Sequence, residues 1–198
     1  MAHPLTYKKE KLMSGFQNIN IEPLIDRYEI ENFIETGCHT GSGIAHALQS
    51  GIHNIYTCDI DLKFVELCRN RFPGITAMHK HSVDFLKEIA DVIPGASIIW
   101  LDAHFPELTG GKSNNKEEWF PLLEELKVLS KKDGVEHDVI IIDDIRVIIS
   151  EDNPIKQDFD KQYEIHGHTI KEITDLFPNH KSEVLNFQEG LLFLVPKG

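Results

Sequence analysis

No apolar run in this chain approaches the roughly 18 to 20 residues that a helix needs to cross a bilayer, so a membrane-spanning helix is not expected. The N-terminal stretch lacks the apolar core of a signal peptide, and the expectation is a cytoplasmic protein. Cysteine is scarce: Cys38, Cys58 and Cys68 are the full set, with no CxxC pair among them. An odd number without paired spacing points to reduced thiols rather than a disulfide framework. Basic charge is also short, with 20 Lys and Arg against 32 Asp and Glu and a formal net charge of -12. That balance argues against general nucleic-acid binding, which needs a basic face, but leaves room for a small molecule held in a pocket. There is no internal repeat and no low-complexity segment. What remains is 198 residues of ordinary composition, enough for one domain with a sizeable core.

The most informative stretch runs from Asn32 to Gly43. It reads as a buried strand ending in Glu35, a turn carrying Gly37 and Gly41, and a helix start at Gly43. Glycine lets backbone approach a ligand closely, and the following helix aims free N–H groups at the same place. Further acids follow at strand spacing: Asp59 and Asp61, then Asp102, then Asp143 and Asp144. Each group closes an apolar run, the edge at which an open α/β sheet keeps its ligands.

The rest of the chain alternates strands with helices. Residues 5–27 read as helical, punctuated by Leu12, Phe16, Ile19 and Leu24, forming a cap over residues 1–30 or an oligomer contact. Strands are expected at 32–35, 55–58, 75–79, 97–101 and 138–142, and helices at 43–49, 62–71, 83–93, 119–129 and 168–177. Segment 105–116, polar and bearing glycine, is a candidate lid, and 146–167 is a second long connection. Strands at 182–187 and 191–195, separated by Gln188-Glu189-Gly190, must form an antiparallel hairpin, because a parallel pair needs a crossover. The expected architecture is α/β: a Rossmann-like three-layer sandwich in which a mostly parallel seven-stranded sheet ends in an antiparallel hairpin.

Several side chains could carry chemistry. Asp59, about twenty residues beyond the glycine turn, can accept both hydrogens of a ribose diol, with Ile60 beside it, while Asp61 fits the N-cap of the next helix. Ser82 stands at the end of the third strand, as a ligand contact or a helix cap. Carboxylates at Asp102, Asp143 and Asp144 would repel one another unless a cation sits among them, and a hard divalent ion with oxygen ligands, such as Mg²⁺, resolves this. The alternative is that one acid caps a turn and the other is solvated. His104, two residues beyond Asp102, would share its side of an extended backbone, as a general base, a third metal ligand or an orienting group. Lys112 is a further candidate, and Arg146 could neutralise the acidic pair or grip an anionic substrate.

Glu35-Thr36-Gly37-Cys38-His39-Thr40-Gly41-Ser42-Gly43 resembles motif I of the class I S-adenosylmethionine-dependent methyltransferases. The tighter G-x-G-x-x-G of dinucleotide binding is not there. The acids after strands four and five resemble those of the cation-dependent O-methyltransferases of the catechol and macrocin types. The resemblance covers the chain from Asn32 onward, so residues 31–198 would be one methyltransferase domain. It implies S-adenosylmethionine held by Glu35, Gly37, Cys38, His39, Gly41, Asp59, Ile60, Ser82 and Asp102, and a metal held by Asp102, Asp143 and Asp144. His104 and Asp102 would carry catalysis, and a small-molecule or sugar hydroxyl would be the acceptor. Related sequences usually show Gly-Asp-Ser after the third strand, where this one has Lys80-His81-Ser82. Competing readings are another metal-assisted enzyme of the same fold such as a hydroxylase, a non-catalytic cofactor-binding module, and a dinucleotide-dependent oxidoreductase.

Overall fold

The structure is a computed structural model, and it describes residues 15–104, 121–145, 169–185 and 190–198. The candidate lid at 105–116, Lys112, Arg146 and the second long connection lie outside these residues.

Seven strands form one sheet: β1 (Ile30–Thr36), β2 (Asn54–Asp59), β3 (Thr76–His79), β4 (Ala96–Leu101), β5 (Val139–Ile142), β6 (His180–Leu185) and β7 (Leu191–Pro196), in the order β3-β2-β1-β4-β5-β7-β6. Pairing from β3 across to β5 is parallel, and β7 runs antiparallel to both β5 and β6. The order reverses beside β1, whose two neighbours are β2 and β4. Loops leave β1 and β4 in opposite directions there and open a crevice at the carboxyl ends of the strands.

Burial explains why the central runs are strands. Phe33, Ile98, Trp100, Ile141 and Phe193 belong to one apolar core, while Ile34, Ile99, Leu101, Ile140, Ile142 and Leu192 belong to another. Successive side chains of a strand point to opposite faces, so a continuous apolar run fits a sheet covered on both sides. Helices α1 (Glu22–Tyr28), α2 (Ser42–Gln49) and α3 (Leu62–Arg71) cover the first face through Leu24, Ile44 and Phe64. Helices α4 (Ser82–Ile89), α5 (Leu122–Leu129) and α6 (Ile170–Asp175) cover the second through Phe85, Leu126 and Ile173.

Several boundaries differ from the sequence reading. The described part of the expected N-terminal helix is instead a 3-10 turn, Phe16–Asn18, an extended step through Ile19 and Asn20, and then α1, which carries proline in its first turn. Phe16, Ile19 and Ile21 are buried in the first core; a continuous helix would turn Ile21 about 140° away from Phe16. β1 begins two residues earlier than expected, α4 stops at Ile89, and β6 starts at His180. Helix α6 begins at a capping box between Thr169 and Glu172, and a short 3-10 turn, Val135–His137, precedes β5.

At the amino edge of the sheet, away from the crevice, a buried ion pair joins the elements. Lys132 Nζ lies 2.8 Å from Asp138 Oδ2, and the Ser97 N–H donates to Asp138 Oδ1 at 2.8 Å. Among the described residues no helix is long and apolar enough to cross a membrane.

Candidate functional site

The crevice holds a cavity of about 510 Å³, walled by the turn after β1, the ends of β2 and β4, the start of α4, and Asp143 and Asp144 after β5. Glycine shapes its floor. Gly37 adopts φ 82°, and a β-carbon there would stand 2.7 Å from the Asp102 carbonyl oxygen. Only glycine lets the turn pass that close to the end of β4. The N–H groups of Gly37 and Cys38 both donate to the Cys58 carbonyl, at 3.0 and 2.9 Å, tying the turn to β2. Gly41 then serves as the N-cap of α2 without a side-chain cap, which leaves the first N–H groups of the helix for a ligand.

Glu35 lies under this turn. Its Oε2 accepts from the Thr57 hydroxyl at 3.0 Å. Burial pushes its pKa well above the usual carboxylate range; the Thr57 bond offsets part of that, and Cys68 and Asp59 add to the rise. All three cysteines are free, buried thiols around the same turn.

Asp59 closes β2 with both oxygens engaged by backbone. Oδ2 accepts from the His39 N–H at 3.0 Å, and Oδ1 from the Asp61 N–H at 2.9 Å. His39 holds a left-handed φ of 42°, and its ring centroid lies 4.5 Å from that of Phe64. The carboxylate is thus fixed on the cavity wall with lone pairs to spare, since an ionised carboxylate offers about four acceptor sites. Asp61 is the N-cap of α3, accepting from the Lys63 N–H at 2.9 Å. Ile60 also lines the cavity and is 44% exposed.

Ser82 lines the cavity but does not cap its helix. The N-cap of α4 is His81, whose Nδ1 accepts from the Val83 N–H. This corrects the cap reading: Ser82 is already the first helical residue. Its hydroxyl is buried and turned toward the carboxyl of Glu125 on α5, which also faces Thr36.

On the far wall Asp102, His104 and Asp144 each offer a ligand atom, all within 4.8 Å of one another. Among the described residues this is the group with metal-binding spacing. Asp143 lines the cavity too, yet its Oδ1 accepts the Asp144 N–H at 2.8 Å while Asp144 sits at a left-handed φ of 53°. The strand-end geometry thus groups His104 with Asp102 and Asp144, while Asp143 lines the same cavity and holds the Asp144 N–H.

The electrostatics of the group are those of acids packed together. Burial raises the Asp102 pKa well above normal, Asp143, Asp144 and Glu35 raise it further, and the Trp100 side chain, hydrogen-bonded to it, pulls it back in part. Burial alone lowers His104 to about 3. Burial thus favours the neutral form of both groups. The described cation lining the cavity is Lys80, which is paired with Glu88.

Residues that the sequence reading did not assign to a site complete the walls. Gly15, Phe16 and Gln17 reach the cavity from the N-terminal segment, together with Trp100 and Pro121. The Phe16 ring lies 4.7 Å from Phe33 and 5.2 Å from Trp100.

No protein-family model matches the sequence. Nor does any curated protein match it. Solved structures do share the fold. An O-methyltransferase from Bacillus cereus in complex with SAH superposes with a TM-score of 0.55 at 18% identity, covering 89% of this chain and 79% of that one. SAH-bound methyltransferase PaMTH1 from Podospora anserina gives 0.58 at 14%, covering 90% and 76%. DesVI from Streptomyces venezuelae gives 0.53 at 13%, covering 89% of each chain. The chain has the seven-stranded, Rossmann-like methyltransferase fold.

Proposed function

We propose that this protein is an S-adenosylmethionine-dependent O-methyltransferase that uses a divalent cation to act on a hydroxyl of a small molecule or sugar. One observation carries the reading. A glycine turn with a backbone-held carboxylate at Asp59 and a close acid–imidazole group at Asp102, His104 and Asp144 share a single cavity. The SAH-bound neighbours of the same fold support the choice of cofactor.

S-adenosylmethionine would supply a sulfonium-activated methyl group. The Gly37–Gly41 turn and the open start of α2 would take its methionine end, with Glu35 beneath, and Asp59 would accept from the ribose hydroxyls. Ile60 offers an apolar edge to the base. The donor set on the opposite wall fits a cation: two carboxylates, one with its pKa raised by burial and then by its acidic neighbours, gain from a positive charge between them. Asp102 and Asp144 are the hard oxygen donors that Mg²⁺ takes, and the His104 nitrogen also admits a transition ion. When bound, the cation would lower the pKa of the acceptor hydroxyl and orient its oxygen. His104, neutral at physiological pH, can ligate or receive the hydroxyl hydrogen. Asp143 holds Asp144 in position through its N–H. The remaining contribution of the chain is to fix two reactants at one distance.

Calorimetry with S-adenosylhomocysteine and NAD, followed by labelled methyl transfer to a panel of hydroxylated acceptors with and without chelator, tests the reading. Binding of S-adenosylhomocysteine, none of NAD, and turnover lost to chelator are expected. NAD binding would favour an oxidoreductase, and cofactor binding without transfer to any acceptor a non-catalytic module.

A further inference from the structure

The turn between β1 and α2 carries two left-handed residues on either side of Thr40: His39 at φ 42° and Gly41 at φ 80°. That conformation costs free energy for a residue with a side chain, so His39 keeps it only where its surroundings hold it. On one side Asp59 accepts the His39 N–H at 3.0 Å. On the other stands α3. Arg71, its last residue, donates from a guanidinium nitrogen to the Thr40 carbonyl at 2.8 Å. At the other end of the same peptide, the Gly41 N–H donates to the Cys38 carbonyl at 2.7 Å. A trans peptide is planar, so a bond at each end fixes its plane. The guanidinium is itself placed by the Phe72 ring, whose centroid lies 5.1 Å away. That ring also fills the space beside Gly41, where a β-carbon would stand 2.6 Å from Phe72 Cε2. The Cys68 thiol of α3 lies 3.5 Å from the His39 carbonyl.

We propose that Arg71 is a positioning residue of the cofactor cavity: from outside the wall, its bond to the Thr40 carbonyl sets the plane of the Thr40–Gly41 peptide and with it the entry to α2. Thr40, Ser42 and Gly43 line the cavity, and Gly41 is the N-cap of α2. A rotated peptide at that point moves the free N–H groups of the first helical turn. The effect is confined to one wall. The Thr40–Gly41 peptide belongs to the side given to the methionine end of S-adenosylmethionine, while Asp59 keeps its own bonds from His39 and Asp61. The inference rests on the S-adenosylmethionine reading of the cavity and deepens it.

The test is calorimetry with two ligands, S-adenosylhomocysteine and 5′-methylthioadenosine, which keeps the adenosine and lacks the amino-acid arm. Thermal unfolding is the control for folding. Arg71→Ala is expected to weaken S-adenosylhomocysteine about five- to tenfold, the scale of one lost hydrogen bond to a charged donor, and to leave methylthioadenosine within about twofold of wild type. Arg71→Lys keeps a cationic donor and is expected to recover most of the loss. Equal losses for the two ligands, or wild-type affinity for S-adenosylhomocysteine in Arg71→Ala, overturn the proposal. If methylthioadenosine binds the wild type too weakly to titrate, Arg71→Lys decides: recovery supports the clamp, and a loss equal to that of alanine overturns it. Hydrogen exchange of the ligand-free protein reads the clamp without any cofactor. Faster exchange over residues 38–44 in Arg71→Ala is expected, and an unchanged rate overturns the proposal. A wild-type protein that binds no S-adenosylhomocysteine removes the cofactor reading, and the exchange result then decides by itself whether Arg71 sets the turn.

Discussion

The Oε1 oxygen of Glu35 occupies the space into which a β-carbon on Gly43 would project. Glu35 cannot swing aside, because its other oxygen is held by Thr57 at 3.0 Å and the side chain is buried. Gly43→Ala should therefore be harmful, although alanine is the better helix former by about 1 kcal/mol. Overpacking of this kind costs about 1 to 3 kcal/mol. The expected outcome is a lower melting temperature and at least a tenfold loss of S-adenosylhomocysteine affinity. A more stable variant with wild-type affinity would show that the Glu35–Gly43 contact does not shape the site.

Asp59 accepts backbone N–H groups from His39 and Asp61, and so waits in place before any ligand arrives. Losing charge-assisted hydrogen bonds to a ribose diol costs about 1 to 3 kcal/mol. Asp59→Ala should weaken S-adenosylhomocysteine by that amount, and Asp59→Asn by less, since one acceptor oxygen remains. Calorimetry that finds the two variants equal to wild type removes Asp59 from the cofactor site.

The metal reading separates residues that ligate from the one that braces. Asp102→Asn and Asp144→Asn should abolish saturable Mn²⁺ or Mg²⁺ binding in titrations. Asp143→Asn should weaken it roughly 10- to 100-fold, the scale for a group that orients a ligand. Chelator should stop methyl transfer and leave S-adenosylhomocysteine bound. Full turnover in excess chelator ends the cation-dependent reading.

At the other edge of the sheet, Lys132 and Asp138 form a pair that is almost wholly buried. Truncating one partner strands the other charge, at a cost of about 3 to 5 kcal/mol. Lys132→Ala should lose stability of that order in urea unfolding. A loss below about 1 kcal/mol, the scale of an exposed pair, would mean that water reaches Asp138.

Most of the sheet was legible because burial on both faces leaves a plain trace. Runs such as Ile98 to Leu101 and Val139 to Ile142 are apolar without interruption, and acids stand where they end. Asp102 and His104, two residues apart beyond β4, also meet in one group. What was not legible depends on three-dimensional neighbours. Glu124 and Glu125 are adjacent identical acids, and only the packing of α5 says that the second points inward. Asp143 and Asp144 are equally alike in sequence; the left-handed turn at Asp144 decides which one faces His104. His81 took the capping role from Ser82 because an imidazole nitrogen can accept an N–H as an oxygen does, which residue statistics at caps underweight. Phe16 and Ile19 share a helical phase that Ile21 breaks, and only the break between the 3-10 turn and α1 brings all three into the core.

Glu125 gives a pH signature with a definite sign. Burial lifts its pKa from 4.5 to about 7, with the Ser82 and Thr36 hydroxyls offsetting part of the rise. A carboxyl whose folded pKa lies above its unfolded value contributes stability that is fully present below the unfolded value. That stability is lost as pH climbs through the folded one. The window is thus pH 4.5 to 7, and the loss is complete above it. Glu35 and Asp102 shift in the same direction, and Cys58, whose thiol feels Glu125, titrates far higher. The share of Glu125 must therefore be isolated by difference. Glu125→Gln carries no titrating group, so between pH 5 and 8 it should gain roughly 2 to 3 kcal/mol relative to wild type, at 1.36 kcal/mol per unit. Urea unfolding of both proteins at pH 5, 6.5 and 8 measures this. A constant difference across the three would mean that Glu125 is ionised in the folded protein at pH 5 already, and that Thr36 and Ser82 hold it as a carboxylate.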